Sequence, residues 1–243
     1  MTKILSVAAI TALCGLSATS MGAVLYTQAP HTPGAAGGNG LSTLEGFIGT
    51  STPIYDREAA DDFVVPAGPG WNVTRVSINA VQATVGDPNV VTSADIKFFN
   101  GAGAVVGSLV AAGVVGTTTR TTGPGTYFGR PEQVLTFDIS SVILPAGTYF
   151  VQIQPIVNHN WFWLTSSPTT PISGSAAQVQ RGVLTTAGND ATWPAAWQAT
   201  GPGNVIFPTA SDQAFTIEGT VAPAPGTIGL LALGGLAMGR RRR

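Results

Sequence analysis

Through the middle of this chain, apolar side chains recur at every second position, in short runs cut by Gly and Pro. Leu135, Phe137 and Ile139 alternate with polar neighbours, as do Tyr149, Val151 and Ile153, with Pro145-Ala146-Gly147 between the two runs. A period of two places one set of side chains on one face of an extended strand, whereas a helix presents every third or fourth residue. In the run Trp71 to Val81, Val76, Ile78 and Ala80 share one face, while Trp71 and Val73 have the opposite parity. An apolar set that changes parity midway predicts a bulge near Thr74-Arg75. Ile96 and Phe98 mark another inward face, and Asn100-Gly101 is a hairpin signal because Gly accepts the positive φ of a tight turn. Asp62 to Val65 stops at Pro66, and Ala67-Gly68-Pro69-Gly70 reads as a turn. Shorter runs at Trp161–Leu164, Ala177–Val179 and Phe215–Ile217 complete the pattern.

No convincing helix occurs between these runs, and charged residues are only 9% of the chain, with 31 Gly and 17 Pro. The fold class expected is all-β: a single β-sandwich over residues 59–220, with a jelly roll as the preferred topology. Val76, Ile78, Phe137, Ile139, Val151 and Ile153 belong in its core, and Gln152 and Gln154 on the other face look to solvent. The first and last strong strands, Asp62–Val65 and Phe215–Gly219, are expected near each other at one edge. Residues 24–58 are Gly-, Pro- and Thr-rich with weak periodicity, and read as an irregular segment packed on the sandwich as loop or edge.

The formal net charge of −1 hides an asymmetry, because Lys3 and Arg240 to Arg243 lie in the terminal segments while every acidic residue lies between Glu45 and Glu218. An acidic, nearly lysine-free body has no electrostatic footprint for DNA or RNA. Cys14 is the sole cysteine. It falls in the leader, so the body has no disulfide framework, thiolate zinc site or cysteine nucleophile. A body of this size buries roughly 70% of its unfolded surface and needs no such staple.

Residues 1–23 have the three parts of a secretory signal peptide: Lys3, an apolar run from Ile4 to Leu16, and small residues leading to a cut after Ala23. A helical signal peptide implies Sec-type export machinery and signal peptidase as partners. Residues 221–243 form the second address. Pro223-Ala224-Pro225-Gly226 precedes an apolar stretch from Thr227 to Gly239, then Arg240, Arg241, Arg242 and Arg243. As a helix that stretch is about 20 Å long at 1.5 Å per residue, short against a hydrocarbon core of roughly 30 Å. The arginines would stay on the cytoplasmic side and leave the body outside.

At these residues the chain resembles the PEP-CTERM family of sorting tails, with Ala224 standing where that family usually has Glu. The resemblance implies processing by an exosortase, a membrane-embedded cysteine protease or transpeptidase. It also implies a mature protein at the cell envelope or outside the cell, anchored in the membrane only transiently. Four phrases also resemble an accessory sandwich domain that often precedes such tails in exported bacterial proteins: 60–66 (ADDFVVP), 71–73 (WNV), 144–149 (LPAGTY) and 212–219 (DQAFTIEG).

The body offers little catalytic chemistry. His31 and His159 are its only histidines. His31 sits in a Pro/Gly segment expected to be flexible, and His159 reads as a structural or surface residue. No G-x-S-x-G, P-loop or H-E-x-x-H pattern occurs. Asp56, Glu58, Asp61 and Asp62 form an acidic cluster. With Asp212 before the last strand, Asp61 and Asp62 are candidate calcium ligands. Against this, adjacent strand residues point to opposite faces, and carboxylates also accept backbone N–H bonds; that second reading is preferred. Trp161, Trp163, Trp193 and Trp197 are candidate carbohydrate-stacking residues. Trp161 and Trp163 share one strand face and Phe162 and Leu164 the other, so core packing is preferred for that pair. The reading is therefore an exported, exosortase-sorted, non-enzymatic surface or matrix protein without cofactor. Its rival is a lectin-like module that binds extracellular polysaccharide through exposed Trp and calcium.

Overall fold

A computed structural model of the chain describes residues 22–33, 40–42, 44–45, 56–82, 91–101, 104–157, 161–167, 176–181, 196–202 and 211–222. The predicted signal peptide up to Met21 and the sorting tail from Pro223, with Arg240 to Arg243, lie outside the described residues, as do His159 and Trp193. Among the described residues the chain is all-β. Its strands are β1 (Ala23–Gln28), β2 (Gly40–Ser42), β3 (Leu44–Glu45), β4 (Asp56–Val65), β5 (Trp71–Gln82), β6 (Ser93–Gly101), β7 (Val106–Gly113), β8 (Val115–Tyr127), β9 (Arg130–Leu144), β10 (Gly147–Ile156), β11 (Trp161–Ser167), β12 (Gln178–Arg181), β13 (Gln198–Ala199), β14 (Asp212–Gln213) and β15 (Phe215–Val221).

They form two sheets. In the first, β5 is central: β15 and then β1 lie on one side of it and β9 and then β8 on the other, while β11 joins its far end and carries β2 and β14. The second runs β13-β12-β4-β10-β6-β7, with β3 touching both β4 and β10. Among the described residues pairing is antiparallel apart from the single parallel bridge of β3 to β10. The result is a two-layer sandwich.

The parity argument holds at the predicted place: Arg75 pairs with Glu218 and Val73 with the very next residue, Gly219, so Thr74 is the extra residue against β15, while on the other side Ile139, Ser140 and Ser141 of β9 lie opposite it. Val73 and Val76 are consequently both in the core despite their opposite parity. Just past the bulge, Arg75 Nε donates to Asp138 at 2.6 Å and its Nη1 to Glu218 at 3.3 Å, an ion triad across β9, β5 and β15. Opposite the bulge on β15, a Cβ at Gly219 would overlap the carbonyl oxygen of Asn72.

All six residues expected in the core are buried: Val76, Ile78, Phe137, Ile139, Val151 and Ile153. Phe63 on β4 lies among them, with ring centroids 6.0 Å from Trp71, 5.8 Å from Tyr149 and 6.4 Å from Phe215.

Three expectations need correction. Asp62–Val65 and Phe215–Gly219 are not edge neighbours; they belong to opposite sheets and meet face to face across the core. Gln152 and Gln154 do not face solvent but are 0% and 1% exposed. Their sheet is covered on its outer face too, where Ala60, Val106 and Phe150 form a second apolar cluster with Phe99 and Trp197 packed on it. Finally, residues 24–58 are not wholly irregular, because β1 is the edge strand of the first sheet.

Truncating Ile78 to Ala should cost about 2–5 kcal/mol, from lost burial plus the cavity left behind. Urea denaturation measures this, and an unchanged midpoint would remove Ile78 from the core.

Candidate functional site

A cleft of about 460 Å³ opens where the chain leaves β1, beside the far half of β5 and the β8–β9 hairpin. Pro30, His31, Asn79, Pro124, Tyr127 and Glu132 are among its lining residues. His31 is fixed here by long-range bonds: its backbone N–H donates to the Thr165 carbonyl at 3.0 Å, and Nδ1 lies 2.9 Å from that same oxygen. A carbonyl only accepts, so Nδ1 carries the proton and Nε2 of the neutral ring is an acceptor. Tyr127 donates its hydroxyl to the His31 carbonyl at 2.8 Å and sets its ring edge-on to the imidazole, with centroids 5.0 Å apart. Burial first, and then the nearby Glu132 charge, raise the Tyr127 hydroxyl above its ordinary pKa, which keeps it a donor.

Glu132 is 1% exposed. Its Oε1 accepts from Asn79 Nδ2 at 2.6 Å, and its Oε2 from the Gly125 N–H at 2.8 Å. The Gly123-Pro124-Gly125 segment makes room for it, since a Cβ at Gly123 would lie 2.5 Å from Glu132 Cδ and one at Gly125 2.8 Å from Oε2. The cleft is thus a fixed array of acceptors with apolar proline walls. His31 Nδ1 also lies 3.3 Å from Thr165 Oγ1, but Thr165 is fully buried and offers no substrate-accessible nucleophile.

Sequence reasoning missed this site. It expected His31 to be flexible and did not single out Glu132 or Tyr127. The available signal was the Gly-Pro-Gly segment seven residues before a Glu on the partner strand, which marks a close approach.

The residues that were singled out lie elsewhere. Asp61 is fully buried and faces the core, since Ala59, Phe63 and Val65 of the same parity belong to the main cluster. Its Oδ2 accepts from the Gln213 N–H at 2.5 Å, and its Oδ1 from the Asp62 N–H at 3.0 Å. Asp61 therefore ties β4 of one sheet to β14 on the other. Asp212, also fully buried, is close enough to raise the Asp61 carboxyl further. Asp62 has the opposite parity. Among the described residues, no three His, Cys, Asp or Glu side chains gather as a metal site.

Trp161 and Trp163 are 1% and 0% exposed, so neither can stack on a sugar. Trp163 Nε1 donates to the Ala214 carbonyl at 2.7 Å, and Arg120 lies over the Trp161 ring at 5.7 Å. Trp197 is half-buried against Phe99, with centroids 5.9 Å apart.

No protein-family model matches the chain, and neither the curated proteins nor the solved structures include a match.

Asp61 yields a pH prediction. Burial, then the Asp212 charge, push its carboxyl well above the ordinary value of 3.8, and the two backbone N–H bonds only partly offset this. The folded state then holds a proton that the unfolded chain releases, so this contribution to stability is complete below 3.8 and is lost as pH rises through the folded value. Relative to Asp61→Asn, the wild-type unfolding free energy should fall as pH rises from 3.8 towards neutrality. A pH-independent difference between the two proteins in urea melts would show that Asp61 has no raised pKa.

Proposed function

We propose that this chain is an exported, exosortase-sorted, non-enzymatic protein of the cell surface or extracellular matrix. The observation that carries the reading is where the first and last described strands lie relative to the two predicted cuts. β1 and β15 are antiparallel neighbours, with Ala23 opposite Gly219, and the Ala222 N–H closes the last turn on the Gly70 carbonyl at 2.9 Å. The described strands thus begin at the predicted signal-peptide cut and end at Val221, two residues before Pro223. Both termini of the body leave from one end of one sheet. A cut after Ala23 removes only the first register pair of β1. A cut within Pro223-Ala224-Pro225 falls beyond β15, the last of the described strands, which ends at Val221. The two predicted cuts therefore leave the described strands intact apart from Ala23.

Export by Sec-type machinery, signal peptidase cleavage and tail recognition by an exosortase follow from this reading. Retention in extracellular polysaccharide is its end point. The repeated crossing of the chain between sheets, β4 to β5 to β6 and again β9 to β10 to β11, supports a jelly-roll connection. A lectin-like module built on Trp161, Trp163, Trp193 and Trp197, with calcium on Asp61, Asp62 and Asp212, is the weaker reading. The Trp161 and Trp163 indoles are buried, and both Asp61 oxygens already accept backbone N–H bonds.

Intact-mass spectrometry of the protein recovered from the cell surface or medium tests the proposal. The mature chain should begin near Val24 and lack Arg240 to Arg243, and deleting Pro223 to Pro225 should leave the tail uncut. A mature chain that still ends at Arg243 in a cell with an active exosortase would reduce the tail to a simple anchor.

A further inference from the structure

The cleft between β1, β5 and the β8–β9 hairpin has a rim that the fold alone does not explain. The hairpin supplying Gly125, Tyr127 and Glu132 turns at Phe128–Gly129, with φ of +54° and +72°. Positive φ at both central residues matches the right-handed twist of a two-residue hairpin, and Asn or Gly ordinarily occupies the first position. A bulky side chain there is sterically disfavoured. The Phe128 ring gains little in return, for it is 56% exposed. A strained, exposed aromatic one residue beyond Tyr127 of the cleft lining points to a ligand, because strain of this kind persists where function uses it.

The cleft itself indicates the chemistry. Among the described residues Glu132 accepts from the neutral donors Asn79 and Gly125, and none of those lining the cleft is Lys or Arg. His31 is more than nine-tenths buried, and no described residue donates to its Nε2. A carboxylate, an imidazole nitrogen and the Asn79 amide oxygen are complementary to a donor-rich cation, with charge-assisted bonds to Glu132 the strongest of the set. Pro30 and Pro124 of the lining offer flat apolar surface to C–H faces beside those donors, and the exposed Phe128 ring follows directly on Tyr127 of that lining. The volume, about 460 Å³, is in the usual range for a small-ligand pocket.

We infer that this cleft binds an amino sugar: its protonated amine meets Glu132, its hydroxyls meet His31 Nε2 and Asn79, and its ring face rests against Phe128. The inference does not depend on how the tail is processed. It assigns a ligand class to the body, at residues other than the four tryptophans.

The test is a titration of the isotope-labelled mature protein with a glucosamine tetramer, its N-acetylated counterpart and Nα-acetyl-lysine amide, read at the imidazole resonances. His31 and His159 are the only histidines, so a His159→Gln variant assigns the two sets. The glucosamine tetramer should shift the His31 resonances saturably, with the other two ligands at least about tenfold weaker. Glu132→Gln should weaken glucosamine binding by about tenfold or more. Phe128→Gly should do the same while leaving the fold intact, since Gly relieves the positive φ. Should Glu132→Gln unfold, the acetylated ligand and Phe128→Gly still decide. No saturable shift, equal binding of the N-acetylated tetramer, equal binding of the lysine derivative, or undiminished binding by Phe128→Gly would each overturn the assignment.

Discussion

The two sheets are held in one arrangement by the aromatic cluster around Phe63. From β4 its ring stacks on Trp71 of β5 with an interplanar angle of 6° and on Tyr149 of β10 at 28°. It meets Phe98 of β6 and Phe215 of β15 edge-on at 80° and 71°, and Tyr26 of β1 lies 5.9 Å away. Offset-stacked and edge-to-face pairs add directional preference to plain apolar burial. One side chain thereby fixes three strands of the first sheet against three of the second. In a chain without a cysteine in its described body, this burial does what disulfides do for smaller exported domains.

Asp61 stands two residues before Phe63 on the same inward face. A buried carboxylate is costly there unless it is protonated or hydrogen-bonded. It meets the cost by accepting backbone N–H groups, including that of Gln213 on the opposite layer. The phrases 60–66 and 212–219 therefore form one unit: Asp61 with Gln213, and Phe63 with Phe215. Their pairing across the core places β15 against β5 and β1, and so sets where both ends of the body emerge. The cleft at the other end of β5 inherits its rigidity from the same frame, through Asn79, whose N–H is bonded to the Ala214 carbonyl at 3.2 Å.

Local periodicity carried much of this into the sequence. The inward sets on β5, β6, β9 and β10 are legible because a strand has a strict period of two. The bulge at Thr74 is legible because a bulge is a break in that period. Trp161 and Trp163 were readable as core because Phe162 and Leu164 made the opposite face apolar as well. What escaped is non-local. Gln152 and Gln154 look solvent-facing by alternation, yet their burial depends on what covers that face from distant parts of the chain. His31 reads as flexible from its Pro and Gly neighbours, but its place is fixed by Thr165, which no local pattern announces. The partnership of Glu132 with Asn79 likewise depends on how β9 pairs with β5. The approach of Asp212 to Asp61 was anticipated, though for a different reason: the two meet across the core and not along one edge.

The central claim is that the body is one cooperative unit centred on Phe63. Equilibrium urea unfolding of the mature protein and its Phe63→Ala variant, followed together by tryptophan fluorescence and far-UV circular dichroism, tests it most directly. The account predicts coincident single transitions for both probes, and a loss of about 3–5 kcal/mol in the variant. Separate transitions for the two probes, or a variant midpoint equal to that of the wild type, would contradict it.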